Sequence, residues 1–133
     1  MIVVDTNVVA YLYLPTKYTP SAEALLERDP DWAAPLLWRS ELRNVLALYL
    51  RQGLLDFDAA YAIQTEAESL LAGREYDVGS LEVLRLAASS GCAAYDCEFV
   101  ALAEYLGVPL ITQDRQVLNK FPATALSLKN AVK

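Results

Sequence analysis

The sequence predicts an α/β protein that forms one domain, residues 1–133, around a mainly parallel sheet. Short apolar runs of strand length alternate with longer segments in which apolar residues recur every three or four positions. Single glycines close several of those longer segments, as they close many helices. A length of 133 residues suits one domain with a sizeable core. Strands that alternate with helices predict a parallel sheet covered by helices on both faces.

The elements of the first half follow from local residue patterns. The β-branched residues that open the chain predict a buried strand over about 2–5. Thr19-Pro20-Ser21 is typical of a helix start. An apolar stripe that ends at Gly53 predicts a long helix. The predicted elements are a strand at 2–5, helices at 8–14 and 20–28, a strand at 32–35 and a helix at 37–52.

The second half repeats the alternation of helices and strands. Gly73, Gly91 and Gly107 each follow a segment with helical periodicity. The predicted elements are a helix at 57–72, a strand at 75–78, helices at 80–90 and 96–106, a strand at 108–112, a short helix after Asp114 and a last strand at 124–128. The order of these strands in the sheet cannot be derived from the sequence.

The absence of histidine limits the chemistry that the chain can perform. It excludes Ser-His-Asp triads, Cys-His nucleophile pairs, His-ligated zinc and general acid–base catalysis by histidine. Catalysis would have to use carboxylates, lysine, hydroxyl groups or metal-bound water. Cys92 and Cys97 lie close together without histidine partners, so we expect them to fill the core.

Charge and hydropathy give expectations about location and partners. No run of about 18 apolar residues and no basic, apolar leader is present, which predicts a cytoplasmic protein with no membrane partner. The formal net charge of −6 argues at first against nucleic acid, because phosphate binding usually requires a basic surface. A hydrophobic content of 55% hints at a surface that a partner covers.

Asp5 interrupts an apolar run at the end of the first predicted strand. An unpaired carboxylate is costly there, so its presence needs a reason. It could cap the following helix, with Thr6 or Asn7 sharing that role. Alternatively, it could lie at the carboxyl end of a sheet strand, where open α/β folds bind ligands. This stretch alone favours the capping interpretation.

Three other acidic residues also lie at element boundaries: Glu41, Asp96 and Asp114. Each has an ordinary explanation as a surface acid or a first-turn acid favoured by the helix dipole. However, the carboxyl ends of parallel strands meet at one edge of the sheet, so Asp5, Glu41 and Asp114 are expected to converge there, and Asp96 joins them if its helix packs with its N-terminus at that edge. Two carboxylates about 5 Å apart repel by roughly 3 kcal/mol at an effective dielectric near 20. Raised pKa values or a bound cation would relieve that repulsion, and oxygen ligands select Mg²⁺ or Mn²⁺.

Four fragments in this order resemble the PIN-domain ribonucleases, and within them the VapC-type toxins of toxin–antitoxin pairs. The fragments are DTN, SELRNVL, AYDCEFVALAE and PLITQD, and the resemblance spans essentially the whole chain. It implies a PIN-like α/β/α sandwich with a five-stranded parallel sheet and an acidic Mg²⁺ site.

The resemblance also assigns roles to individual residues. The family's acids correspond to Asp5, Glu41, Asp96 and Asp114, and its strand-end hydroxyl residue corresponds to Thr112. Its polar residue after the first strand corresponds to Thr6 and Asn7. Asn44 lies one helical turn beyond Glu41 and can share its face. Glu98 departs from the family pattern, and we expect it to point away from the acids as a first-turn cap.

The function that best fits these residues is RNA cleavage by metal-activated water, which needs no protein nucleophile. A metal-loaded site would no longer repel phosphate, and Arg39, Arg43 and Arg115 flank two of the acids as candidate phosphate contacts. The same arginines could instead pair with the acids, and this alternative is equally open.

Two other function classes are weighed against the nuclease. A receiver-type signalling domain would require Asp77, Thr112 and Lys129 in its phosphoacceptor site, but the second acid beside Asp5 is missing. A catalytically idle fold that serves only as a binding module would not need the four acids. A nuclease assay with and without a chelator separates the three classes.

Partners are also expected. The aromatic residues Tyr11, Tyr13 and Trp38 lie close in sequence to the acids and could form part of an interaction surface, although each is more simply explained as core. The resemblance implies a homodimer that a cognate antitoxin silences.

Overall fold

Five parallel strands and eight helices make up the chain, and the computed structural model describes all 133 residues. The elements in order are β1 (Ile2–Val4), α1 (Thr6–Tyr13), α2 (Thr19–Arg28), β2 (Trp32–Pro35), α3 (Leu37–Arg51), α4 (Phe57–Leu70), β3 (Glu75–Tyr76), α5 (Ser80–Ser90), α6 (Ala94–Leu106), β4 (Leu110–Ile111), α7 (Arg115–Lys120), β5 (Ala125–Leu126) and α8 (Leu128–Ala131). The predicted α/β class with a five-stranded parallel sheet is therefore confirmed.

The sheet has the strand order β3-β2-β1-β4-β5, which places β1 at its centre. Val3 pairs with Ala33 on one side and with Leu110 on the other, and all four strand pairs are parallel. The backbone N–H of Asp5 donates to the carbonyl of Ile111 at 3.0 Å, so the central ladder extends to this residue. The ends of β1, β2 and β4 thus lie at one edge of the sheet, where three of the predicted acids follow them.

The strand order excludes the receiver-type alternative. Receiver domains share the flavodoxin-like order 2-1-3-4-5, in which the first and third strands are neighbours. In this chain β1 lies between β2 and β4, and β3 is an edge strand. The pairing of Asp77, Thr112 and Lys129 as a phosphoacceptor site is therefore wrong.

The core lies between the sheet and the helices. β1 and β2 are buried along their whole length, which explains why they read as continuous apolar runs. Cys92 and Cys97 are free and buried, and they pack with Val83 and Ala101 in a small cluster, as predicted for core-filling cysteines. No helix combines the length and the apolar character that crossing a membrane requires.

Most predicted elements differ from the observed ones by one or two residues at an end, and three of these differences change how a residue is interpreted. α1 begins at Thr6 rather than near Val8, and α6 begins at Ala94 rather than at Asp96. The predicted last strand ends at Leu126, because the side chain of Ser127 accepts a hydrogen bond from the Asn130 N–H and caps α8. Leu128, predicted as strand, is instead a buried residue of that final helix.

Candidate active site

An open cavity of about 470 Å³ lies at the carboxyl edge of the sheet. All four predicted acids line it, together with three of the predicted supporting residues: Asp5, Glu41, Asp96, Asp114, Thr6, Asn7 and Asn44. They come from the end of β1, the start of α1, the first half of α3, the first turn of α6 and the residue before α7. The topology therefore brings together residues that are up to 109 positions apart in sequence.

Asp5 is held by a hydroxyl group rather than by a helix end. Its backbone occupies the N-cap position of α1, but its side chain makes no capping hydrogen bond. The Thr112 Oγ1 instead donates to Asp5 Oδ2 at 2.8 Å, and the same Oγ1 accepts the Asp114 N–H at 3.0 Å. Of the two interpretations of Asp5, the structure thus favours the strand-end site over the cap.

Burial raises the pKa of Asp5 above its ordinary value, and this effect is larger than all the others. The hydrogen bonds from the Thr112 hydroxyl and the Thr6 backbone lower the pKa, whereas the negative charges of Asp96 and Asp114 raise it further. A carboxylate in this position is therefore ionised at a cost in free energy, which a cation could offset.

The pKa of Glu41 is raised in the same way as that of Asp5. The Thr6 Oγ1 donates to Glu41 Oε1 at 2.6 Å and links α1 to α3. Burial raises the pKa of Glu41, and the nearby charges of Asp5, Asp96 and Glu98 add to the increase, while the Thr6 hydrogen bond opposes it.

Asp96 and Asp114 differ in how they are held. Asp96 lies in the first turn of α6, and burial raises its pKa, with the charge of Asp114 as the second cause. Asp114 caps α7, because its Oδ1 accepts the Val117 N–H at 3.1 Å. The helix-cap interpretation is correct for Asp114, yet the residue also lines the cavity.

Glu98 does not behave as predicted. Because α6 begins at Ala94, Glu98 lies in the second turn and cannot act as a first-turn cap. It lines a neighbouring cavity that also contains Leu36 and Tyr76, and its charge helps to raise the pKa of Glu41. Glu98 therefore lies outside the acidic cavity, as expected, although its charge acts on Glu41.

The three candidate phosphate-binding arginines have different environments. Arg39 forms ion pairs with Glu75 at 2.6 Å and with Glu68 at 3.0 Å, and it does not line the acidic cavity. The hydrogen bonds from Arg39 lower the pKa of Glu75. Arg43 and Arg115 are exposed, and neither has an acidic partner within salt-bridge distance. Of the three arginines, these two are therefore not held by an ion pair and can bind phosphate, although neither lines the acidic cavity.

Two further cavity residues that carry a hydroxyl group were not predicted from the sequence. Ser40 precedes Glu41, and Tyr95 precedes Asp96 with a side chain that is 64% exposed. Their only signal is that each stands next to a candidate acid in the sequence. An exposed aromatic ring beside the acids offers a stacking surface for an unpaired base.

The donor set of the cavity fits a hard cation. Its charged groups are carboxylates, with hydroxyl and amide oxygens beside them and no thiolate. No three acidic or cysteine side chains are already grouped closely enough to bind one ion together. Mg²⁺ does not need three, because it usually binds through one or two carboxylates and keeps several waters.

Comparison with known proteins agrees with this fold. Residues 2–123 match the family model of the PIN domain. Ribonuclease VapC3 from Pyrobaculum aerophilum is 34% identical over 125 residues, which cover 92% of this chain and 95% of that protein. The crystal structure of PAE2754, also from Pyrobaculum aerophilum, has a TM-score of 0.78 at 25% identity and covers 98% of this chain and 85% of its own. A toxin–antitoxin complex from Klebsiella pneumoniae contains a chain with the same fold, with a TM-score of 0.69, 16% identity and coverage of 96% and 98%.

Proposed function

Because the chain belongs to the PIN-domain family, we propose that it is a Mg²⁺-dependent endoribonuclease and the toxin of a toxin–antitoxin pair. The observation that carries the proposal is the convergence of Asp5, Glu41, Asp96 and Asp114 in one open cavity. The 34% identity to Ribonuclease VapC3 along nearly the whole chain supports RNA as the substrate.

Burial and mutual repulsion raise the pKa values of three of the four acids, which supports the presence of a divalent cation. Mg²⁺, or Mn²⁺ in its place, would bind among Asp5, Glu41, Asp96 and Asp114, through one or two of these carboxylates and several waters. When bound, it would lower the pKa of a coordinated water and offset the charge that develops on the phosphate during hydrolysis.

The neighbouring residues orient the acids and bind the substrate. Thr112 fixes the carboxylate of Asp5, and Thr6 fixes that of Glu41, so that neither acid depends on a flexible loop. Asn7 and Asn44 line the same cavity and offer amide groups to a phosphate or to water. Arg43 and Arg115 do not line the cavity, but both are exposed and free of ion pairs, so we assign to them RNA phosphates that lie outside it.

The proposal includes two protein partners and a cytoplasmic location, where RNA is available. A toxin–antitoxin complex among the structures with this fold supports a cognate antitoxin. Several large apolar side chains are exposed, which supports a homodimer: Leu54, Phe57, Tyr61, Leu81, Leu84 and Tyr105. By contrast, Trp38 is fully buried and Tyr11 and Tyr13 pack on the core, so these three are not the exposed surface.

The experiment combines cleavage with a readout that does not need activity. The purified chain is incubated with structured and single-stranded RNA in Mg²⁺, in Mn²⁺ and in excess EDTA, and its melting temperature is measured under the same conditions. We expect cleavage only with metal, and a melting temperature that rises with metal concentration because the folded state binds the ion.

The matched control is Asp5→Asn, which should lose both the cleavage and most of the thermal shift. Cleavage that persists in EDTA would contradict the metal mechanism. A metal-dependent shift without cleavage of any RNA would favour the catalytically idle binding module.

A further inference from the structure

The first turn of α3, which directly precedes Glu41, has no helix cap of its own. Its N-cap residue is Leu36, whose side chain cannot accept a hydrogen bond, and the first turn contains no acidic residue. Helix starts of this kind leave backbone N–H groups without partners and fray easily. Something else must therefore hold this turn in place.

Glu75, in the edge strand β3, makes the contacts that hold it. Its carboxylate accepts three hydrogen bonds from the first turn of α3: one from Trp38 Nε1 at 2.8 Å, and one each from Arg39 Nε and Nη2 at 2.6 Å. The side chain of Glu75 is only 11% exposed. A two-point contact between a guanidinium and a carboxylate fixes orientation as well as distance. The backbone adds one more link, because the Leu36 N–H donates to the Tyr76 carbonyl at 3.1 Å.

The two residues that Glu75 binds, Trp38 and Arg39, lie within one helical turn of Glu41. Trp38 and Glu41 are three residues apart on one helix, so they are neighbours along its surface. Arg39 is two residues from Glu41 and points to another side, which explains why it contacts β3 and not the cavity. On the cavity side the side chain of Glu41 has one hydrogen-bond partner, the Thr6 hydroxyl. The position of Glu41 thus depends on the backbone of α3, which Glu75 fixes through Trp38 and Arg39, and on the hydrogen bond from Thr6.

We infer that Glu75 is a positioning residue for Glu41. Its hydrogen bonds with Trp38 and Arg39 fix the first turn of α3, and the helix backbone in turn fixes Glu41. The inference rests on the proposed nuclease function where it concerns catalysis, but not where it concerns the position of α3. It also gives Arg39 a role other than the phosphate contact that the sequence suggested.

The test compares Glu75→Ala with Glu68→Gln as the matched control. Glu68 contacts the same arginine through Nη1 alone and makes no hydrogen bond with Trp38. For Glu75→Ala we expect kcat to fall tenfold to a hundredfold with KM little changed, because a displacement of about 1 Å can cost a hundredfold in rate. Glu68→Gln should stay within about twofold of wild type, since a half-exposed ion pair contributes little. Arg39→Lys keeps the charge but loses the two-point contact with Glu75, so its kcat should lie between those of the two variants.

A second measurement is independent of catalysis. Amide hydrogen exchange at residues 40–42 should be faster in Glu75→Ala than in wild type or Glu68→Gln, while exchange in α6 stays unchanged. If Glu75→Ala does not fold, Glu75→Gln replaces it, because the amide oxygen can accept only part of the three hydrogen bonds.

Unchanged exchange at 40–42 in a folded Glu75 variant would overturn the inference, and so would a loss of stability with kcat preserved. A lower salt dependence of RNA binding in Arg39→Ala, with kcat unchanged, would restore Arg39 as a phosphate contact and would also overturn it. A wild-type protein that cleaves no RNA would refute the proposed function alone, because the exchange experiment would still decide the role of Glu75.

Discussion

Asp5, Glu41 and Asp96 are ionised at a cost in folding free energy, and this cost makes their substitution informative. The predicted variants are Asp5→Asn, Glu41→Gln and Asp96→Asn. Each should abolish most RNA cleavage while leaving the free energy of unfolding equal or higher, because the neutral amide removes a desolvated negative charge. Cleavage assays and urea unfolding measure the two effects. The exposed acid Glu104 provides the control, and Glu104→Gln should change neither.

The pH dependence of stability follows from the same three acids. Their pKa values are higher in the folded state than in the unfolded chain, so the folded state binds more protons between the two values. Their contribution to stability is therefore fully present below the ordinary carboxyl range, near pH 4, and is lost as the pH rises through the folded-state values. Glu75 acts in the opposite direction, since its pKa is lowered and its contribution is lost as the pH falls.

Urea unfolding of the metal-free protein at a series of pH values measures this dependence. In Asp5→Asn the loss of stability with rising pH should be smaller than in wild type, and in Glu75→Gln the loss at low pH should be smaller. Identical pH profiles for wild type and Asp5→Asn would contradict the assignment of a raised pKa to Asp5.

The free arginines give a separate prediction about RNA binding. Arg43→Ala and Arg115→Ala should each weaken binding to all sequences alike and reduce the slope of log K against log salt by about one. Arg39→Ala should leave the slope unchanged, because that guanidinium is already paired with two carboxylates. Fluorescence anisotropy with the inactive Asp5→Asn protein measures the slopes without cleavage. If Arg39→Ala reduced the slope as much as Arg43→Ala and Arg115→Ala, the ion pairs of Arg39 would not keep it from phosphate, and the prediction would be wrong.

At the scale of the element, Asp114 has two roles that substitution can separate. As the cap of α7 it accepts the Val117 N–H, and as a cavity residue it adds negative charge beside Asp5. Asp114→Asn keeps an oxygen for the cap and should change stability little, with a milder loss of cleavage than Asp5→Asn. Asp114→Ala also loses the cap and should lower the free energy of unfolding by about 1 kcal/mol.

Ser127→Ala is the matched control for this cap, because Ser127 caps α8 away from the cavity. It should cost a similar free energy of unfolding and leave cleavage unchanged. If Asp114→Asn destabilised the protein as much as Asp114→Ala, the charge rather than the hydrogen bond would hold the start of α7.

At the scale of the whole molecule, the exposed apolar side chains predict that the chain does not act alone. Phe57 and Tyr61 stack on each other at 6.3 Å, with planes 7° apart, and remain 69% and 66% exposed. Leu54, which is 62% exposed, lies in the connection between α3 and α4, shortly before these two residues of α4. Contiguous apolar surface of this kind usually marks an interaction site.

We therefore expect the purified chain to sediment as a dimer and its expression alone to arrest growth. Co-expression with the product of the neighbouring reading frame should restore growth and shift the sedimentation boundary to a larger complex. The inactive Asp5→Asn protein is the control, which should be harmless but still dimeric. Harmless expression of an active and strictly monomeric protein would refute the toxin interpretation while leaving the nuclease intact.

The sequence by itself determined the fold class and the convergence of Asp5, Glu41 and Asp114 at one edge of the sheet. Both depend on local signals, because apolar periodicity and glycines define the elements, and in a parallel sheet the strand ends must share one edge. Asp5, Glu41 and Asp114 could be assigned to that edge without knowing the strand order. The family resemblance, carried by four short fragments, extended this reasoning to Asp96 and to Thr6 and Thr112.

Only the tertiary structure decided what each side chain contacts. Asp5 lies where a helix cap is expected but bonds to Thr112, 107 residues away, which no local pattern indicates. Arg39 stands beside Glu41 in sequence yet pairs with Glu75, because β3 lies next to β2 at the edge of the sheet and the strand order was not readable. Glu98 lies outside the acidic cavity, yet its charge acts on Glu41, which belongs to another helix. Hydrogen bonds and charge interactions act over a few ångströms, so the partner of a side chain depends on which distant elements the fold brings beside it.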